Sequence, residues 1–173
     1  MIKEETTIKI PVYPHLKRFI MMHWYHDHRN GEPLRIEEDS VLGKMIMAIL
    51  ISKRSIRKAS GLMRYEFTDY IEVDLSNNFK RRSPAIHKLC LINLDLLHIF
   101  HSHLFGWVRA QKVVGVSAKR ACESFIAFYQ LQDHYSFDAA HRAWNRYINS
   151  EYQKERLARS LNRKNKNSVH LPS

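Results

Sequence analysis

Glycine and proline are scarce in this chain, with five of each in 173 residues. That scarcity excludes collagen-like and low-complexity architectures and favours regular secondary structure. Two cysteines, Cys90 and Cys122, are too few for a disulfide framework. Each lies within an apolar helical pattern, as a buried free thiol does, and a reducing compartment is the expectation. Acidic residues are also few. Seventeen Asp and Glu stand against 28 Lys and Arg, a formal net charge of +11 that draws the chain to polyanions. The first residues lack the apolar core of a signal peptide. The most apolar stretch, residues 89–108, is interrupted by Asp95, His98, His101 and His103, so it reads as a buried helix and not a bilayer span. A cytoplasmic location and no membrane partner are therefore expected. Gly-x-Gly-x-x-Gly, the P-loop and Gly-x-Ser-x-Gly are missing, which removes support for nucleotide hydrolysis and α/β-hydrolase chemistry.

What is present is a globular composition, 45% hydrophobic, sufficient for a real core. Residues 6–13 alternate: Thr6, Ile8, Ile10 and Val12 face one way, Thr7 and Lys9 the other, and Pro11 argues for an edge strand. Pro14 opens a helix to about His26, with Leu16, Phe19, Ile20 and Trp24 on its apolar face. Leu34, Arg35 and Ile36 form a short second strand. Ser40 caps a helix carrying Leu42, Met45, Ile46, Ile49 and Leu50, and Lys53, Arg54, Arg57 and Lys58 suit its C-terminal end. Residues 64–75 alternate again and predict a third strand. Pro84 opens a long helix reaching about Lys112, with Gly106 as a potential kink. The expected fold is α+β and mostly helical: a small N-terminal βαβαβ layer, a long central helix, and a C-terminal helix pair with a basic tail. The expected organisation is a scaffold over residues 1–113, the helix pair over 114–152, and a flexible basic tail over 153–173.

The C-terminal quarter carries the functional signal. Ala121, Phe125, Phe128 and Tyr129 fall on one face of a helix predicted over residues 117–131. A polar turn, Gln132 to Tyr135, follows. Ser136 then caps a second helix predicted to end at Ile148, with Phe137, Ala140, Trp144, Tyr147 and Ile148 as its buried stripe. His141, Arg142, Asn145 and Asn149 lie on the opposite face, with Arg146 at its edge. Arg matches guanine O6 and N7 bidentately, and Asn matches adenine N6 and N7. Lys154, Arg156, Arg159, Arg163, Lys164 and Lys166 are placed to meet phosphates and provide salt-dependent affinity.

On these residues, roughly 117–150, the segment resembles a helix-turn-helix module, with a long first helix and a turn that carries no glycine. The resemblance implies that the second helix enters the DNA major groove. The whole-chain layout is similar in style to small DNA-binding proteins of phages and mobile elements.

Two other constellations have chemical potential. His23, His26 and His28 repeat the spacing of His98, His101 and His103. His98 and His101 could share a metal with Cys90, while His103 points away, but no paired motif completes a site and no cofactor is expected. Glu66, Asp69, Glu72 and Asp74 resemble the acidic strand of a metal-dependent nuclease, but carboxylates on one strand read first as the solvated face of an edge strand. Tyr65, Phe67 and Tyr70 on that strand could stack single-stranded bases.

The sequence therefore points to a non-enzymatic DNA-binding protein, regulatory or accessory, with RNA as a neighbouring partner class and a homodimer or larger assembly as its form. The competing reading is an assembly component of a larger particle, whose basic tail orders on an acidic partner.

Overall fold

The computed structural model describes residues 6–25, 35–37, 39–52, 69–75 and 85–168. The elements in chain order are β1 (Thr6–Val12), α1 (Pro14–Trp24), β2 (Arg35–Ile36), α2 (Val41–Ile51), β3 (Asp69–Leu75), α3 (Ile86–Val113), α4 (Ala118–Phe128) and α5 (Phe137–Ser168). The molecule is mostly helical, with a small sheet.

β1 and β3 form an antiparallel pair in which Ile10 lies opposite Ile71 and Ile8 opposite Val73. β2 adds two residues in parallel on the other side of β3, with Ile36 opposite Val73. Alternation therefore collects Ile10, Val12, Ile36, Ile71 and Val73 on one buried face, where the helices pack. β1 is an edge strand, as Pro11 implied. β3 is not. The acidic strand expected at an edge is the central one, and Glu72, expected to be solvated, is only 8% exposed. Lys9 on β1 pairs with it at 3.7 Å. The apolar alternation of β3 was legible, but the order of the strands depends on pairings between segments far apart in sequence. The 64–68 part of the predicted strand, with Tyr65, Glu66 and Phe67, lies outside the described residues, as do His26, His28, Leu34 and the Lys53–Lys58 cluster.

Local chemistry fixes several helix ends. Pro14 opens α1, which closes at Trp24. The Ser40 hydroxyl accepts from the Gly43 N–H at 3.0 Å and caps α2. At the other end of α2, the Lys88 ammonium of α3 donates to the Ile49 carbonyl, the Ser52 carbonyl and the Ser52 hydroxyl. A cation thus sits on the orphan carbonyls at the negative end of the helix.

α3 is the axis of the fold, and it runs unbroken through Gly106. Ile92, Leu96, Phe100, Leu104 and Val108, each four residues apart, are buried along it. An i+4 series turns by about 40° per step, so its buried side rotates along the helix. At its N-terminal end Asn93 Nδ2 donates to the Pro11 carbonyl of β1 at 2.6 Å. At its C-terminal end Trp107 Nε1 donates to Ser124 Oγ of α4 at 2.9 Å. By length and composition α3 is the one helix among the described residues able to cross a membrane, yet its apolar side is part of the core. Phe100 joins the layers, its ring meeting His15, Phe19, Phe125 and Tyr135 at centroid distances of 5.1–5.6 Å. Buried residues from Ile10 to Trp144 form a single cluster.

Candidate nucleic-acid interface

The α4–α5 hairpin is built by four local signals. α3 ends in a Schellman motif. Gly115 adopts φ 85°, with its N–H bonded to the Lys112 carbonyl and the Val116 N–H to the Gln111 carbonyl. The Ser117 hydroxyl then accepts from the Arg120 N–H and starts α4. α4 ends in a second Schellman motif, in which Gln130, not glycine, takes the left-handed position at φ 52°. The Gln130 N–H bonds the Ala127 carbonyl and the Leu131 N–H bonds the Ile126 carbonyl, while Leu131 and Ile126 are both buried beneath. The Gln130 side chain accepts from Arg18 of α1. α4 thus closes at Phe128, short of the predicted Leu131. Ser136 caps α5 through the Ala139 N–H at 3.2 Å.

α5 differs most from expectation. The second helix, predicted to stop at Ile148 before a flexible tail, continues to Ser168. Asn149 and Ser150, just past the predicted end, are only mildly unfavourable inside a helix, and neither proline nor glycine follows them. Beyond them, Glu151 pairs with Lys154 at 2.9 Å and Glu155 with Arg159 at 3.5 Å, spacings that support a helix. Only the first turns pack. Ala140, Ala143 and Trp144 are buried and Phe137 and Tyr147 half-buried, whereas Ile148, assigned to the buried stripe, is exposed, as are Tyr152 and Leu157. At 1.5 Å per residue, α5 is about 48 Å long.

The face of α5 opposite its packed stripe carries Asp138, Arg142, Asn145, Asn149, Tyr152 and Arg156, all exposed. Arg146 borders it, also exposed. His141, expected to point outward, is half-buried, its ring stacked on Phe137 at 5.8 Å. Asp138 lies in the first turn, where its charge complements the helix dipole. Glu151 and Glu155 fall on the other side of the helix. Among the described residues, Arg142, Arg146 and Arg156 have no carboxylate within ion-pair distance, whereas Lys154 and Arg159 are paired along the helix. Arg163, Lys164 and Lys166 lie further along the same helix.

Behind Arg146 is a group of histidines that the sequence did not connect. His15 of α1 lies 4.8 Å from the Tyr135 ring and 5.3 Å from Phe100. Burial, then His101 and His134, lowers the His15 pKa to about 4. Burial, then the Arg146 cation and His98, lowers His101 likewise to about 4. Tyr135 is raised by burial, an effect opposed by Arg146 and Arg142. Both rings are thus neutral at pH 7, adding no charge beneath the arginines. Nothing in the sequence linked His15 to His101, 86 residues away.

The other constellations separate. His103 turns to α1, with its ring 4.3 Å from His23 and 5.3 Å from Phe19, away from His101 as its spacing implied. His98 is exposed while Cys90 is buried with its thiol pKa raised by burial. No group of three or more His, Cys, Asp or Glu among the described residues is placed to hold a metal ion. On β3, Asp69 and Glu72 point to opposite faces. Asp69 binds Lys17 at 2.7 Å and Glu72 is held by Lys9, so the two do not converge. Tyr70 is exposed, with the Lys9 and Lys17 ammonium groups 4.6 and 5.4 Å from its ring centre. No family model, curated protein or solved structure matches the chain.

Proposed function

We propose that this is a non-enzymatic DNA-binding protein, regulatory or accessory and cytoplasmic, that contacts duplex DNA through α5. One observation carries the reading. The exposed side of α5 gathers Arg142, Asn145, Asn149, Tyr152 and Arg156, with Arg146 at its border, and its glutamates lie on the other side. Arginine and asparagine are the side chains that read guanine and adenine edges. α5 leaves the core after Tyr147, and the described residues of this face are exposed. Arg142, Asn145 and Arg146 are the groove-facing residues on this reading, with His141 at the margin. Lys154, Arg156, Arg159, Arg163, Lys164 and Lys166 bind backbone phosphates. The pairs that Lys154 and Arg159 form with glutamates are exposed and weak, so a phosphate displaces them at little cost.

A continuous helix suits this role better than a flexible tail, because its cations need no ordering on contact. Replacing Arg142 and Arg146 together with alanine should weaken duplex binding at least about tenfold, since one good base or phosphate contact is worth about 1–3 kcal/mol. Unchanged affinity in a folded double variant would show that this face is merely solvated.

A further inference from the structure

Resting on that reading of α5, we infer that the protein holds two DNA duplexes at once, the second on a separate cationic face formed by Arg109 and Lys112 of α3 and Lys119 of α4. This face is built on the packed stripe of α5. The Arg109 guanidinium lies 4.9 Å from the centre of the Tyr147 ring, the Lys112 ammonium 5.8 Å from Trp144, and the Lys119 ammonium 5.7 Å from Phe137. From Phe137 to Tyr147 the row follows about 15 Å of the helix axis. At about 100° per residue, these rings lie roughly half a turn around α5 from Arg142, Asn145 and Arg156. A helix with its side chains is about 10–12 Å across. A duplex seated on the outer face therefore lies on the far side of α5 from the three cations, and their charge is left for another polyanion.

All three cations are exposed, and among the described residues none has a carboxylate within ion-pair distance. Glu123, one turn beyond Lys119 on α4, is close enough in sequence to pair but does not. Lys119 also stands in the first turn of α4, which holds no acidic residue and where the helix dipole disfavours a cation. A cation held over a ring face keeps its donors. The guanidinium hydrogens lie in its own plane, and the ammonium directs hydrogens away from the ring. The ring also limits the rotamers of a long side chain, so less conformational entropy is lost when an anion arrives. Duplex DNA carries one charge per about 1.7 Å of axis, so a row of this length can meet several phosphates. Contacts to phosphates position a duplex and carry no sequence information. The second duplex is therefore held without regard to its sequence.

The test uses the full chain, a random-sequence DNA duplex fixed on beads and a fluorescent duplex in solution, at low salt. Protein bound to the beads should capture the fluorescent duplex, and rising salt should release it. The variant Arg109→Gln, Lys112→Met, Lys119→Met keeps the packing over the rings and removes the charges. It should bind the bead duplex within about twofold of wild type, because distant sites act independently, and should capture no fluorescent duplex above background. Should the triple variant fail to fold by circular dichroism, each single substitution should lower capture without weakening binding to the beads. A folded triple variant that captures as the wild type does overturns the inference, since bridging would then come from another surface or from a second copy of the chain. Wild-type protein that binds the beads and captures nothing also overturns it and leaves the role of α5 standing. Wild-type protein that binds no duplex at low salt overturns both.

Discussion

His15 and His101 tie stability to pH through single side chains. Both rings are held at about 4, well below the ordinary 6.5, chiefly because burial disfavours their charged form. As pH falls below 6.5 the unfolded chain takes up protons that the folded chain refuses until about 4, so the contribution of these two rings to stability falls across that window and is flat above it. For His15 alone the loss is about 2 kcal/mol at pH 5. Denaturant midpoints measured between pH 7.5 and 5 should decline, and His15→Phe should flatten the curve. A midpoint independent of pH over that range would contradict neutral burial. The cysteines behave similarly. Burial, with Glu123 adding to it, pushes the Cys122 thiol to about 11, and burial also raises Cys90. Both should resist thiol reagents at pH 7 until the chain unfolds. Cys burial could be read from periodicity alone. The histidine pairing could not, because it joins α1 to α3 only after the chain has folded.

Elements are decided by their ends. Gly115 and Gln130 occupy equivalent left-handed positions in two Schellman motifs, yet only one is glycine. Gly115→Ala should cost about 1 kcal/mol, seen as a lower denaturant midpoint at constant slope. Gln130→Gly removes the same penalty while losing the bond from Arg18, so its net effect should stay within about 1 kcal/mol of wild type. Lys88→Met removes the cation from the carbonyls of α2 and should cost about 1–3 kcal/mol. The Ser40, Ser117 and Ser136 caps were all legible, because a hydroxyl before an apolar-periodic run has one dominant use. The end of α5 was not. The apolar stripe that marks the helix runs out at Ile148, while the glutamate–cation pairs that carry it further act through weak increments spread over several turns.

At the scale of the whole molecule, charge and apolar surface are divided. The sheet and α1 to α4 surround one core, and α5 leaves it as a rod whose outer side is polar and basic. The α+β class and the basic end were evident from composition and periodicity. The central place of β3, and the cations of α3 and α4 resting on α5 rings, depend on contacts across the chain and left no local trace. Phe100 links sheet-side and hairpin-side layers, so Phe100→Ala should cost about 3–5 kcal/mol and be seen in one cooperative unfolding transition. The most direct test of the account is fluorescence anisotropy of the full chain against duplex DNA, single-stranded DNA and RNA at rising salt. The account predicts tightest binding to the duplex, with log K falling linearly and steeply against log salt. Absence of binding to all three at low salt would contradict it.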